Sequence, residues 1–171
     1  MEKFSSLSIF LFFILLFTAC ERDKFIFESV PEPEPEILEG QVDDLLLPFF
    51  EQFEIEAAAR GISIDLAAQG ITGGIEEIRE RFVAGTCTYG THLPGDVVID
   101  LGFWNNSSEL AKEMVVFHEL GHCYLRRGHK ESAFSNGVCT SIMRSGSEGC
   151  RDNYNNQTRE FYIDELFFGE D

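Results

Sequence analysis

His118-Glu119-Leu120-Gly121-His122-Cys123-Tyr124-Leu125-Arg126-Arg127-Gly128-His129 holds three of the chain's four histidines. Its first five residues spell H-E-x-x-H. Positions i and i+4 of a helix share a face, so His118 and His122 can reach one metal ion. Glu119, beside the first ligand, can take a proton from a water that the metal polarises. The segment points to a zinc hydrolase and to a helix at the centre of the fold. Ser107 to Arg127 reads as that helix: Asn106 or Ser107 can cap it, and Asn106 with Glu109 has capping-box spacing. Leu110, Met114, Phe117, Gly121 and Tyr124 recur at helical steps and are expected to face the core.

The third histidine raises a geometric problem. On a continuous helix His129 would lie seven residues past His122, roughly 10 Å further along the axis. Zinc–nitrogen bonds are about 2.0–2.1 Å, so one ion cannot span that gap. His129 becomes a ligand only if the chain leaves the helix and folds back. Gly128 is the expected stop, because glycine readily takes the left-handed conformation that ends helices. Arg126-Arg127 before it suit the negative end of the helix dipole. Cys123 follows His122 directly and so points about 100° away from it on a helix, which argues against a thiolate ligand. His92, the remaining histidine, lies in a Gly- and Pro-rich loop and is expected at the surface.

His118-Glu119-x-x-His122, the later His129 and then Ser141-Ile142-Met143 resemble the metzincin clan of zinc metallopeptidases. Their pattern is H-E-x-x-H-x-x-G-x-x-H followed by a Met-turn. The run His-Glu-Leu-Gly-His-Cys in a short chain is also similar to small bacterial lipoprotein metallopeptidases related to that clan. The resemblance implies an α+β fold: a small metzincin-like zinc peptidase domain with a mixed twisted sheet, an active-site helix and a C-terminal helix. It implies Zn2+ on His118, His122 and His129, Glu119 as general base, and Met143 in a tight turn beneath the metal. Leu125 stands at the clan's glycine position and Gly128 at its third histidine, so His129 comes one residue late. A one-residue insertion, with the helix stop moved to Gly128, accounts for the shift. Glu160 competes as third ligand, because Glu160-x-x-x-Asp164 has the spacing of the helix that supplies a glutamate in thermolysin-like peptidases. The same pair also reads as a solvated acidic face.

The activity implied is that of a zinc metalloendopeptidase acting on a peptide or protein substrate, as a monomer. The other class left open is a catalytically inactive, zinc-stabilised binding lipoprotein on the same scaffold. Glu119 favours the enzyme, since a binding module has no chemical need of it. Asp96 to Leu101 reads as a strand. The resemblance suggests a sheet edge to which an extended substrate adds, while an ordinary core strand fits the residues equally well. Four cysteines besides Cys20 allow three pairings. Cys87–Cys123 with Cys139–Cys150 is favoured, because the first pair would tie down the active-site helix and the second would close a loop around the Met-turn.

The rest of the chain sets the context. Lys3, the apolar run Ile9–Phe17 and Thr18-Ala19-Cys20 read as a lipoprotein signal peptide over residues 1–19, with Cys20 as the lipid-attachment residue; plain secretion is the alternative. Residues 20–40, with Pro31-Glu32-Pro33-Glu34-Pro35-Glu36, read as an acidic, extended tether. Residues 41–171 form the expected peptidase domain. The location implied is the bacterial cell envelope, outside the cytoplasm, with the membrane reached through the lipid anchor. A net charge of −17 argues against nucleic acid as a partner. Within the domain, Val42–Arg60 reads as a helix stopped by Gly61, beginning or kinking at Pro48. Phe49, Phe50, Phe53 and Ala57 would form its core face. Ile62–Leu66 reads as extended, Ile75–Val83 is ambiguous between strand and helix, and Gly70, Gly73 and Gly74 mark turns. Asp152–Asn156 reads as a polar loop. Arg159–Phe168 reads as a final helix with Phe161 and Leu166 packing inward.

Overall fold

The computed structural model describes residues 41–146 and 151–169. The readings of residues 1–40, Cys20 among them, lie outside that set, as does Cys150. All described residues belong to one compact unit. In chain order they form α1 (Leu47–Ala59), β1 (Thr72–Glu76), β2 (Gly85–Thr88), β3 (Asp96–Asp100), α2 (Leu101–Asn106), α3 (Glu109–Cys123) and α4 (Arg159–Phe168). The domain is therefore α+β, with a three-stranded mixed sheet and four helices among the described residues. None of those helices is long and apolar enough to cross a membrane.

The sheet runs in the order β1-β3-β2, with β1 parallel and β2 antiparallel to β3. The strand foreseen at Asp96 is thus the central one, paired on both sides, and not an edge. It stops at Asp100, whose carboxylate accepts from Phe103 N (2.7 Å) and Ile78 N (3.0 Å), so one side chain ends β3 and caps α2. Leu101 already belongs to that helix. Strand alternation turns Val97 and Ile99 inward, where both are fully buried. Their registered neighbours on β2 are Cys87 and Gly85, which therefore face inward as well.

Helix α1 starts at Leu47, with Pro48 in the first turn, where its missing N–H has no helical partner to lose. Gly61, at φ 76°, follows its end. Phe50, Phe53 and Ala57 are buried as expected, and Phe49 is partly buried against the core, its ring edge-on to Trp104. Gly73 and Gly74 lie inside β1 rather than in turns. A Cβ on Gly73 would sit 2.8 Å from the Phe50 ring, so the absence of a side chain lets α1 close onto the sheet. Between Ile75 and Val83 only Ile75-Glu76 is regular, as the end of β1; the remainder is irregular, with Phe82 at φ 66°. Helix α4 has the expected bounds, and Tyr162, Ile163 and Leu166 are its buried residues. Phe161 is half exposed and stacks on Phe134.

An ionic cluster joins three helices. Glu56 of α1 pairs with Arg60 (2.6 Å) and with Arg159 of α4 (2.6 Å), and Arg159 also reaches Glu113 of α3 (2.7 Å). Tyr154, in the polar loop but itself buried, donates its hydroxyl to Glu113. Burial alone would raise the Glu56 carboxyl, but hydrogen bonds from Arg159 and Arg60 outweigh it and hold the group below its ordinary value. Stability from a depressed carboxylate is present above its unfolded value, about 4.3, and is lost as pH falls through the folded one. Glu56→Gln should therefore be less stable than wild type at pH 7 by about 2 kcal/mol. Urea titrations should show the difference shrinking below about pH 4.

The disulfide Cys87–Cys123 joins β2 to the last residue of α3 across 36 positions. Closing a loop of that length restricts the unfolded chain by about 4 kcal/mol. The Cys87→Ala/Cys123→Ala pair should lower the melting temperature by about 10 °C or more, read by calorimetry under identical buffer conditions.

Candidate metal centre

Helix α3 is capped by Ser108, whose hydroxyl accepts from Ala111 N (3.3 Å), and not by Asn106 or Ser107. Asn106 is instead the last residue of α2. Met114, Phe117, Leu120 and Gly121 are buried along α3, with Leu110 and Tyr124 partly so. The helix stops at Cys123, four residues earlier than its sequence suggests. Tyr124 N and Leu125 N both donate to the Leu120 carbonyl, and Arg127 N folds back to the Gly121 carbonyl (2.9 Å). Arg126 takes the left-handed conformation there, at φ 61°, in place of Gly128. Its guanidinium lies over the Tyr89 ring, 4.2 Å from the centroid, a contact that offsets part of the roughly 1–2 kcal/mol such a backbone costs a non-glycine residue.

After this turn the chain runs out and returns as a hairpin. Ala133 bridges Cys139, Phe134 N donates to Val138 O, and Lys130 N donates to Met143 O (2.9 Å). The last bond fixes the residue after His129 against the turn at Ile142-Met143. The result brings the imidazoles of His118, His122 and His129 together, each with a nitrogen within 4.8 Å of the others, a group that could hold a metal ion. His118 and His122 are half-buried, and His129 is exposed.

Backbone carbonyls set the tautomers. His118 Nδ1 lies 2.6 Å from Ile142 O, and His122 Nδ1 lies 2.7 Å from Arg127 O. A carbonyl can only accept, so each Nδ1 carries the proton and each Nε2 offers a lone pair. The two Nε2 atoms are 3.0 Å apart. Nitrogens bound to one tetrahedral zinc at about 2.0–2.1 Å stand roughly 3.3 Å from each other. Two lone pairs at such a distance repel unless a cation lies between them. The donor set thus fits a metal ion with three imidazole ligands.

Glu119 is buried on the same helix and faces the same cleft. A Cβ on Gly85 would lie 3.0 Å from Glu119 Oε1, so β2 crosses the carboxylate at a residue with no side chain. Burial pushes the Glu119 carboxyl up to about 8. Burial pushes His118 down to about 4, helped by His122 and His129 and opposed by the Ile142 carbonyl; the low value keeps it in the neutral, ligating form. A dication on the triad would draw the Glu119 value back down. Met143 is fully buried. It lies against Gly121, where a Cβ would meet its sulfur at 2.5 Å, on the helical turn between the two histidines.

The cleft above these groups has a volume of about 460 Å³ and is walled by β2 and the chain before it. Glu160 stands apart from the cleft: it is exposed and pairs with Arg60 (2.9 Å) and Arg159 (3.5 Å). Cys123 is committed to its disulfide, His92 is exposed, and Cys139 is disulfide-bonded.

Three contributors are not evident in the sequence. Gly85 and β2 matter through their position over Glu119. Arg127 matters twice: its carbonyl orients His122, and its buried guanidinium donates to Glu165 O (2.7 Å), Leu166 O (3.2 Å) and Glu165 Oε1 (3.0 Å) at the end of α4. A basic residue beside a helix end has many ordinary uses, so nothing in the sequence marks this one. Arg127→Ala should cost about 3 kcal/mol, because it removes the hydrogen bonds to the end of α4 and leaves the largely buried Glu165 carboxylate with Lys130 (3.2 Å) as its remaining cation. Arg127→Met combined with Glu165→Leu should recover much of the loss in urea unfolding.

The chain matches no protein-family model, no curated protein and no solved structure.

Proposed function

We propose that this chain is a zinc-dependent endopeptidase of metzincin-like type, exported and held at the bacterial cell envelope by a lipid on Cys20. The observation that carries the reading is the convergence of His118, His122 and His129 on one point, with the buried carboxylate of Glu119 lining the same cleft. A site that only stabilised the fold would gain nothing from burying an acid beside the ligands. That weighs against the alternative, a zinc-stabilised binding lipoprotein without activity.

The path of the chain also supports the resemblance. In the metzincin pattern a glycine precedes the third histidine by three positions. Here left-handed Arg126 precedes His129 by three. The extra residue therefore falls between His122 and the turn, where the wide closure of Leu125 and Arg127 onto Leu120 and Gly121 takes it up. Met143 beneath the histidine pair corresponds to the Met-turn.

His118, His122 and His129 would hold the ion through their ring nitrogens. When bound, zinc supplies a Lewis acid for the scissile carbonyl and lowers the pKa of a coordinated water towards about 7. The carbonyls of Ile142 and Arg127 keep two of the rings in the ligating tautomer. Glu119 accepts the proton of the attacking water at a carboxylate oxygen and passes it to the nitrogen of the leaving amine. Met114 and Val115 line the cleft with apolar surface, which limits bulk water around that carboxylate.

The test is metal content together with cleavage of an unstructured protein. Wild type should bind one zinc and cleave. Glu119→Ala should keep zinc and lose at least about a hundredfold in rate, whereas His129→Ala should lose zinc. Gly85→Val should retain zinc but lose cleavage, because its side chain would displace Glu119. A folded wild-type protein that binds no zinc would sink the proposal.

A further inference from the structure

We infer that Arg144 recognises a carboxylate on the substrate, next to the bond on which Glu119 acts. The inference rests on the peptidase reading and names the substrate class of that site. Apart from Glu119, Arg144 and the three histidines, the described lining of the cleft is neutral: Phe82, Val83, Met114 and Val115 are typical of it. Arg144 is the single lysine or arginine among these lining residues. Its backbone is fixed beside the histidines, because it follows Met143, whose carbonyl accepts from Lys130 N.

The guanidinium is poorly engaged within the protein. Its Nε stands 3.6 Å from Glu131 Oε2 in an exposed pair, an interaction worth little. Glu131 meanwhile accepts from both the N–H (3.1 Å) and the hydroxyl of Ser145. Arg144 Nη1 has only the Cys139 sulfur at 3.8 Å, and Nη2 has no acceptor among the described residues. A planar fork of N–H donors at the rim of an apolar cleft suits a carboxylate bidentately. In a chain of net charge −17, the long-range field repels acidic peptides, so taking one up requires a cation at the site itself. A peptide can present the group in two ways, as an Asp or Glu side chain or as its C-terminal carboxylate.

The experiment uses the full-length, zinc-loaded chain and pairs of quenched fluorescent peptides. One series exchanges Glu for Gln at each position around the cleaved bond, and the other exchanges a free C-terminus for an amide. Wild type should favour the carboxylate member of one series by at least tenfold in kcat/KM; the series that shows it identifies the source. Arg144→Ala should abolish the preference, and Arg144→Glu should shift it towards Lys at that position. Peptide binding by zinc-loaded Glu119→Gln, followed by fluorescence anisotropy, reads the same preference without turnover. A carboxylate preference in binding that Arg144→Ala removes, with no cleavage by wild type, would overturn the peptidase reading and leave this one standing. Cleavage with no such preference, a preference that survives Arg144→Ala, or no binding of either member of a pair overturns the role of Arg144.

Discussion

The site depends on how β2 lies against α3. Two inward residues of the strand, Gly85 and Cys87, meet two residues of the helix, Glu119 and Cys123. Residues two apart on a strand are separated by about 6.6 Å, and residues four apart on a helix rise about 6 Å. The two spacings nearly match, so a bond at one pair sets the register at the other. The disulfide fixes Cys87 on Cys123 and thereby holds the bare backbone of Gly85 over the carboxylate of Glu119. A one-residue slip of β2 would place Ala84 or Thr86 there, with a side chain where the acid now sits.

The histidines answer to the neighbouring face of the helix, about 100° round from Glu119 and Cys123. Two of them are oriented by carbonyls from different segments, Ile142 in the turn before Met143 and Arg127 in the turn after α3. Each turn is tied down separately. Arg127 is gripped by the end of α4. The return hairpin is closed by the Lys130–Met143 bond and by the Tyr162 hydroxyl, which donates to Cys139 O (2.8 Å). Helix α4 therefore contributes no residue to the cleft yet supports both turns, one through Arg127 and one through Tyr162. It also reaches α1 and α3 through Arg159. That explains why an acidic helix with no residue in the cleft carries buried Tyr162, Ile163 and Leu166.

Much of the site is legible in the chain because its signals are local. H-E-x-x-H places two imidazoles on one helix face by geometry alone, and the bounds of α4 follow from composition and periodicity. The departures share a cause. Gly128 looks like the helix stop, but the helix ends where Cys123 is bonded to β2, and the chain must turn early for His129 to come back; Arg126 takes the left-handed conformation as a consequence. The Asp96 strand carries the strongest β-branched run because it is central and buried on its inward face. The actual edge beside the cleft, Gly85–Thr88, has no hydrophobic signature, being short and carrying glycine and cysteine for contacts made elsewhere.

By itself the sequence put His118 and His122 on one helix face with Glu119 beside them, left His129 and Glu160 as rival partners for the pair, and offered Cys87–Cys123 within one of three possible pairings. The shared helix face is a property of residue type and of spacing within one element, and the possible pairings are a matter of counting cysteines. Tertiary structure decided that His129 rather than Glu160 stands with the other two histidines, that Gly85 covers Glu119, and that Arg127 and Ile142 lend their carbonyls to the imidazoles. Each of those is a contact between segments far apart in the chain. Spacing along a helix cannot express such a contact; it arises only when the buried faces of α1, α3, α4 and the sheet are brought together out of water.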